Sequence, residues 1–501
     1  QLPESLQSLV LSRIDGAPEE PRRTMKVAAV VGRTFQVPVL PGAYEELGTV
    51  DTVLEHLETL RSRDLVALDR EAEQAWIFVH GMTQEMAYES LPFAMRSLLH
   101  GRIGAYIERS EAHDLERWIP LLEHHYWRSD REGKKREYLI KAAEQAQAAY
   151  ANAAAVVYYD RLLPLLDGAE RVEEAIKFAE VLQLIGDIPR AEEVVLEARA
   201  VAEQLEDARQ VARCDHSLAE SARRMGRYDE ALARLEQASE GFRSVGDELG
   251  VAAAYQIVGT VNAQRGDLEI ARSRYLDSLA IRERLDDGAG VAALTNNLGI
   301  VALHMGEHER ARDFGERALE LYTELGDRRR ICQCEINLSM VDEATGDHEA
   351  ALGHSERAVS LAREVGDRLS FAQAQNIRGD ALRDLDRLDA AGMAYATALR
   401  AYRDLNDQWP LMILFEDIAA LAARLDRPGE SLTLVGAADA LRVAIGATQS
   451  AADEELLEAR LERATSALGD AVASEARDAG RRLSLDGAIE LALGVSEVAA
   501  G

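Results

Sequence analysis

A chain of 501 residues with 57 Lys or Arg against 88 Asp or Glu carries a formal charge of −31, which repels phosphate backbones and disfavours general nucleic-acid binding. Its length exceeds one ordinary globular core, so several domains or a repeat array are expected. Hydrophobic residues make up 47% of the chain but aromatics only 5%. That composition points to helices packed through small side chains, and no apolar run reaches the roughly 18 residues of a membrane span.

The three cysteines, Cys214, Cys332 and Cys334, form no C-x-x-C pair, and a spacing of two sends Cys332 and Cys334 to different helix faces. Buried small residues are the favoured reading over metal or disulfide chemistry. No signal-peptide pattern opens the chain, and a reducing, cytoplasmic setting is expected. Gln1 is not an initiator methionine and the chain opens in a helix-forming run, which points to a piece of a longer protein.

Residues 1–110 have their own texture. Pro3 to Ile14 and Glu19 to Val31 read as amphipathic helices, and Asp51 to Arg63 as a third, capped by Thr49 or Asp51. The run LVALDREAEQAWIFVH then reads as two strands, Leu65 to Leu68 and Trp76 to Val79, joined by a polar turn. Three helices followed by a hairpin make a winged-helix pattern. This segment holds 11 Lys or Arg against 16 Asp or Glu, and its third helix carries Asp51, Glu55 and Glu58 beside Arg61 and Arg63. A groove-entering helix needs a positive footprint, so a structural role is preferred to DNA reading. The runs LPESLQSLVLSRIDGAPEE, VAAVVGRTF and FVHGMTQEMAYESL resemble the segment that follows the nucleotide-binding domain in STAND-type signalling ATPases, including those fused to class III adenylate or guanylate cyclases. The resemblance implies a winged helix that packs on an upstream ATPase core and passes its state to a repeat sensor.

Further helices follow from Leu91 to Ser129. His124 and His125 are adjacent and diverge on a helix, while His80, His100 and His113 share no ligand spacing with them, so packing or surface roles are expected. Lys135 to Leu166 reads as two helices around Tyr150 to Asn152, a degenerate opening copy that would cap an array.

From Gly186 onward one pattern returns every 40 residues. Gly186, Gly226, Gly266, Gly306 and Gly346 mark it, with Asp386 in the sixth place. A glycine there suits a helix end that must adopt a left-handed backbone. Small residues stand five and twelve places later: Ala191 and Ala198, Ala231 and Ala238, Ala271 and Ser278, Ala311 and Ala318, Ala351 and Ala358, Ala391 and Ala398. Seven apart, they share one face of the second helix and let its neighbour approach closely. Asp207, Asp247, Asp287, Asp327, Asp367 and Asp407 would cap the first helix of the next copy. In the run TNNLGIVALHMGEHERA, residues Leu298, Gly299, Gly306, Ala311 and Ala318 resemble the small and apolar columns of a tetratricopeptide repeat. The period departs from the usual 34 or so, as in the long-helix variety common in large bacterial regulators. A HEAT-type array fits the period but not the proline and charge columns.

Trp409 to Leu425 and Glu430 to Ile445 form a last pair around the turn DRPG. The tail, with LTLVGAADALRVAIGA, RLERATSALGD and AGRRLSLDGAIELAL, resembles the helical end of large actinobacterial-type ATP-binding regulators; in relatives that are transcription factors a helix-turn-helix domain usually follows. The expected architecture is thus mainly α. It comprises a winged-helix domain with a short hairpin wing at 1–110, a helical connector and degenerate repeat at 111–170, a superhelical array at 171–408, and a last pair with helical cap at 409–501.

No G-x-x-x-x-G-K-[ST], G-x-S-x-G or H-E-x-x-H motif occurs. No catalytic, metal or cofactor residue is therefore assigned, and ATP is expected only in an upstream ATPase or cyclase domain of the same polypeptide. What remains is a surface. In tetratricopeptide superhelices the first helices line a concave groove, and the resemblance places groove positions ten, six, and two or three residues before each turn. These are His216, Glu220, Arg223 and Arg224; Gln256, Thr260, Ala263 and Gln264; Asn296, Ile300, Leu303 and His304; Met340 and Glu343; and Asn376, Asp380 and Arg383. The amides of Gln256, Asn296 and Asn376 suit the backbone of an extended peptide, while Asn297 and Asn337 are assigned to helix packing. The paired lysines and asparagines of the chaperone carboxylate clamp do not occur in this arrangement. The expected function is a non-catalytic sensor and scaffold binding a protein, peptide or effector in the groove and relaying it to the upstream module, with oligomerisation left open. The rival is a DNA-binding regulator of the STAND/helix-turn-helix type.

Overall fold

From Gly186 to Asp386 the backbone turns left-handed once in every twenty residues, at Gly186, Glu206, Gly226, Gly246, Gly266, Asp286, Gly306, Gly326, Gly346, Gly366 and Asp386, with Asp426 continuing the beat. The computed structural model describes residues 4–70, 75–149, 151–405, 408–445 and 451–499. Asp407, Tyr150, Pro3 and much of the polar turn between the strands lie outside the described residues. The chain divides into two units, Gln1–Val245 and Gly246–Gly501.

The first unit opens with α1 (Glu4–Asp15) and α2 (Glu19–Val31), then β1 (Thr34–Gln36), α3 (Val39–Ala43), α4 (Val50–Arg61), β2 (Val66–Arg70) and β3 (Ala75–Phe78). The strands form an antiparallel sheet in the order β1-β3-β2, with Phe35 opposite Trp76 and Val66 opposite Phe78. Expectation placed only two strands here. The third is three residues long, too short for an alternating pattern to show. The hairpin strands also shift against their expected limits, because a bulge between Leu68 and Arg70 carries the pairing on to Arg70 and Ala75. Helix α4 stops before Arg63, where Asp64 turns left-handed and the Arg63 guanidinium donates to the Gly16 carbonyl at 2.8 Å. Its start is as expected: Thr49 accepts from the Thr52 amide. Trp76, Phe78, Met25, Leu40 and Leu57 are buried at the centre of this region.

Next come α5 (Gly81–Glu89), α6 (Phe93–Ser110), α7 (Ile119–Trp127), α8 (Glu132–Ala148) and α9 (Asn152–Leu162). Glu108 on α6 accepts from the Tyr126 hydroxyl on α7 and the Tyr138 hydroxyl and Lys134 ammonium on α8. One carboxylate thereby ties three helices. His100 and His125, unrelated by sequence spacing, meet with 2.9 Å between their Nδ1 atoms, and Tyr88 bonds the other nitrogen of His100. Both histidines are buried. Burial is the larger cause, and neighbouring cations the lesser, that keeps each imidazole neutral, His100 down to about 3.

The helix pairs of the first unit are α10 (Gly168–Leu184) with α11 (Ile188–Gln204) and α12 (Ala208–Arg224) with α13 (Tyr228–Ser244). Those of the second are α14 (Glu248–Arg265) with α15 (Leu268–Arg284), α16 (Gly288–His304) with α17 (His308–Leu325), α18 (Arg328–Thr345) with α19 (His348–Val365), α20 (Arg368–Asp384) with α21 (Leu388–Leu405), and α22 (Gln408–Arg424) with α23 (Pro428–Ile445). The turns at Gly186, Glu206, Gly226, Gly266, Asp286, Gly306, Gly326, Gly346, Gly366 and Asp386 close the same way. At Gly306, for example, its amide bonds the Leu303 carbonyl and the next amide bonds Ala302 five residues back, satisfying carbonyls that the helix end leaves free. Asp207, Asp247, Asp287, Asp327 and Asp367 then accept from the amide three residues on at 2.9–3.1 Å, each cap worth about 1 kcal/mol. The small residues five and twelve places after each turn are buried in all six copies. The cysteines are buried and free; Cys332 and Cys334 belong to different apolar clusters.

Three last helices, α24 (Ala451–Leu468), α25 (Asp470–Arg481) and α26 (Leu485–Ala499), fold back on α21, α22 and α23. Helices α23 and α25 cross with backbones in contact: a Cβ at Gly436 would stand 1.9 Å from the Arg477 carbonyl oxygen, and one at Gly480 1.9 Å from that of Thr433.

If the left-handed beat sets stability, opposite substitutions have opposite signs. A methyl at Gly346 meets nothing within 4 Å, so Gly346→Ala is expected to cost about 1 kcal/mol through the backbone alone. Asp286→Gly is expected to stabilise by about 0.5 kcal/mol, and urea titration of the two variants checks both.

Candidate functional site

In the second unit α16, α18, α20 and α22 touch their successors directly as well as their own partners. They therefore form one inner layer, and equivalent positions forty residues apart line up along it. The residue nine places after the turns at Gly266 and Asp386 points from the second helix back at the first. At both it is a tyrosine: Tyr275 lies against Gly259 and Tyr395 against Gly379, so close that a Cβ on either glycine would come within 2.4–2.6 Å of the ring. Each phenol reaches the residue six before the turn, Tyr275 to Thr260 at 3.0 Å and Tyr395 to Asp380 at 2.8 Å. In the pair α16–α17 the same columns read Gly299, Gly315 and Ile300. Both the ring and its polar partner are replaced.

The space the ring would fill is a cavity of about 140 Å³, lined by Asn296, Gly299, Ile300, Leu303, His304, Ala311, Gly315, Asn337, Leu338, Met340 and Val341. Five of these, Asn296, Ile300, Leu303, His304 and Met340, are groove positions expected from sequence. Leu338 leans into the gap, with its Cδ2 2.7 Å from where a Gly315 Cβ would stand. Asn337, assigned by sequence to packing, donates to the Asn296 carbonyl oxygen at 2.8 Å, and the Cys334 thiol approaches the same oxygen at 3.6 Å. Two donors on one oxygen fix the amide's orientation, because a thiol can donate to an oxygen but not to an amide nitrogen. The Asn296 NH2 therefore faces away from them.

The other two amides are placed differently. The Gln256 carbonyl accepts from Arg282 at 3.1 Å, and Asn376 donates to Asp417 at 2.9 Å with its own oxygen buried. Thr260 is held by Tyr275 and by the Gln256 main-chain carbonyl, while Gln264 and His304 are exposed. Met340 is 39% exposed at the rim of the cavity.

Beyond Met340 the inner layer becomes charged. Arg383, expected in the groove, is only 2% exposed; it is paired bidentately with Asp384 at 2.9 Å and bonded to Asp380 and Tyr395. Four carboxylates, Glu343, Asp380, Asp384 and Asp417, gather around it. Burial and then Asp417 push the Asp380 carboxyl up to about 7, against the pull of Arg383. Burial and then Asp380 and Asp384 likewise raise Glu343, whose Oε1 is buried without a hydrogen bond. Burial works against Asp384 too, but the Arg383 guanidinium holds it low. Glu343, His348 and Asp384 each offer a ligand atom, all within 4.8 Å of one another, the geometry of a cation site. Arg383 already occupies both Asp384 oxygens, so a guanidinium serves that carboxylate.

In the first unit Glu220 binds Arg223 through two bonds at 2.6 and 2.7 Å and Arg224 at 2.8 Å. Burial opposes its ionisation, yet these arginines hold it below the usual range. His216 stands half-buried on the same helix. The sequence reading missed Gly315, Tyr275, Tyr395 and Asp417. The first three were readable in the column nine after the turn, but Asp417 on α22 becomes a groove partner only through packing.

Comparison with known proteins gives the repeats their name. The tetratricopeptide repeat model matches residues 171–244, 211–284, 250–324 and 290–364, and no curated protein matches the chain. Among solved structures, the Signal Transduction ATPase with Numerous Domains protein with a tetratricopeptide repeat sensor from Pyrococcus horikoshii superposes with a TM-score of 0.54 at 14% identity. It covers 96% of this chain and 68% of its own. BtubC from P. vanneervenii is 26% identical over 48% of this chain and 94% of its own, with a TM-score of 0.37. A Rap protein complexed with competence and sporulation factor is 16% identical over 65% and 92%, with a TM-score of 0.46. No described helix is long and apolar enough to cross a membrane.

The raised Asp380 carboxyl has a stability signature. The folded state holds this proton up to about pH 7 while the unfolded chain releases it near 4, so the contribution is present at low pH and lost as pH rises through 7. Asp380→Asn cannot titrate; its stability relative to the parent is expected to rise by about 2 kcal/mol between pH 5.5 and 8, read by urea denaturation at both pH values. A difference constant with pH would contradict the assignment.

Proposed function

We propose that this chain is the sensor and scaffold part of a larger STAND-type signalling ATPase, in some relatives linked to a nucleotide cyclase. It takes a protein or peptide along the inner layer of its tetratricopeptide repeats and relays occupancy through an N-terminal winged helix to an upstream nucleotide-binding module. The observation that carries the reading is the inner face of α16 and α18, where an apolar cavity lies beside the half-buried Asn296 amide, whose oxygen is committed to Asn337 and Cys334. An amide next to an apolar pocket matches the alternation of backbone and side chain in an extended peptide. Support for the winged helix is the order α2-β1-α3-α4-β2-β3 with the sheet order β1-β3-β2. Support for the parent class is the similarity to the archaeal protein over 96% of this chain.

On this reading the domains remain those expected from sequence: a winged helix within 1–110, a connector at 111–170, repeats at 171–408 and a cap at 409–501. The protein acts in the cytoplasm, uses no cofactor of its own, and meets ATP through the upstream module. DNA reading is disfavoured at α4 itself. There Asp51, Glu55 and Glu58 set carboxylates along the helix, with Arg61 paired to Glu58 at 3.2 Å, and Arg63 just beyond it donates to the Gly16 carbonyl, so phosphate would meet mostly negative charge.

Fluorescence polarisation of a labelled, end-blocked random hexapeptide pool against the full chain tests this. Binding is expected, and the double variant Gln256→Ala/Asn296→Ala should weaken it several-fold without unfolding the repeats. No binding by any pool, together with salt-dependent binding of duplex DNA at physiological ionic strength, would overturn the scaffold reading in favour of a DNA-binding regulator. The coding sequence upstream of residue 1 should encode a P-loop; none there would overturn the relay.

A further inference from the structure

Resting on the peptide-scaffold reading, we propose that the cavity between α16, α17 and α18 is an anchor pocket for one aliphatic side chain, Leu, Ile or Met, of an extended peptide, with a basic residue beside it directed at Glu343. Three observations converge on it.

The pocket lies where one repeat differs from the two that carry a tyrosine. In the α14–α15 and α20–α21 pairs Tyr275 and Tyr395 close the corresponding space by packing on Gly259 and Gly379, while α18–α19 carries Ser355 and Ser339 in these columns rather than a pair of glycines. At the α16–α17 pair both the ring and its hydrogen-bonding partner are gone together, since Gly315 and Ile300 stand where Tyr and Thr or Asp stand. A lone Tyr-to-Gly change would leave a stranded polar group. Here the walls are apolar apart from the Asn296 and Asn337 amides and the exposed His304 imidazole.

The size suits one side chain. The cavity of about 140 Å³ holds a branched aliphatic group, and Leu338 and Met340 are flexible walls that can swing to admit it. A polar side chain would lose its hydration for no partner inside. With its oxygen committed to Asn337 and Cys334, the Asn296 side chain in the pocket lining keeps its NH2 to donate to the peptide carbonyl next to the anchor.

Charge sets the neighbour. Glu343 follows Met340 by about one helical turn on the same face. Its Oε1 is buried and unbonded and its Oε2 meets His348 at 3.1 Å; even with Asp380 protonated, the carboxylates of Glu343, Asp384 and Asp417 outnumber the guanidiniums of Arg383 and, at 3.9 Å from Asp417, Arg460. A Lys or Arg arriving beside the anchor would find excess negative charge with no side-chain cation of the chain on that oxygen.

Hexapeptide pools with one fixed central residue, and Lys or Glu fixed next to it, distinguish the possibilities by fluorescence polarisation on the full chain. Leu, Ile and Met pools are expected to bind about tenfold or more tighter than the Ala pool, and Lys neighbours better than Glu. Gly315→Tyr, which reproduces the plug of the sister repeats, should reduce the Leu pool to the Ala level. If circular dichroism shows that this variant does not fold, Gly315→Leu, with the residue found at the equivalent Leu235, takes its place. Binding without aliphatic preference, or a preference that survives filling of the pocket, overturns the anchor while leaving the scaffold reading standing. A Glu neighbour bound as well as Lys removes the charged half. No binding by any pool overturns the scaffold reading itself.

Discussion

A left-handed residue can end a helix without breaking its hydrogen-bond accounting, and placing one every twenty residues fixes both the length and the direction of every helix that follows. The helices between these residues run 17 or 18 residues, so a position on one first helix is matched forty residues later on the next. Columns exist only because of that constancy. Once they exist, a small residue at five and twelve lets the layers close, an aspartate after the turn starts the next helix, and among Tyr275, Gly315 and Tyr395 the residue at nine separates a filled inner layer from a hollow one. Where the turn residue is Glu206, Asp286, Asp386 or Asp426 instead of glycine, the packing of the pair keeps the beat against a conformational cost.

The 40-residue repeat, the turn glycines, the small-residue faces and the aspartate caps were legible in the sequence because each depends on residue type at a fixed interval. The second turn column was not: Gly246, Gly326 and Gly366 share it with Glu206 and Asp286, and those two carry no glycine signal. The strand Thr34–Gln36 was hidden for a different reason, since three residues cannot display a period of two. Five of the expected groove positions line the cavity between α16 and α18, but the chemistry of the others was not readable. Arg383 looked like a ligand-facing cation and is buried among carboxylates. Asn376 looked like a free amide and is held by Asp417. These partners sit on neighbouring helices, and packing rather than spacing brings them together. The same holds for His100 and His125, joined by the turn between α6 and α7.

The inner layer of the second unit is thus divided along its length. Around α16 and α18 it is apolar with a directed amide; from Glu343 to Asp417 it is ionic, with too few cations for its carboxylates. The net charge of −31 is consistent with that local excess and works against phosphate-rich partners. A neighbour that is partly apolar and partly cationic satisfies both halves at once, which a uniformly hydrophobic or acidic partner cannot.

The dependence of filling on a single column can be observed without any ligand. Crystals of the protein pressurised with xenon, which enters dry apolar cavities, are expected to show one atom between Gly299, Gly315, Leu338 and Met340, and none beside Tyr275 or Tyr395. Xenon at the tyrosine positions as well, or its absence beside Gly315, would contradict the claim that among Tyr275, Gly315 and Tyr395 the residue nine places after the turn separates filled from hollow.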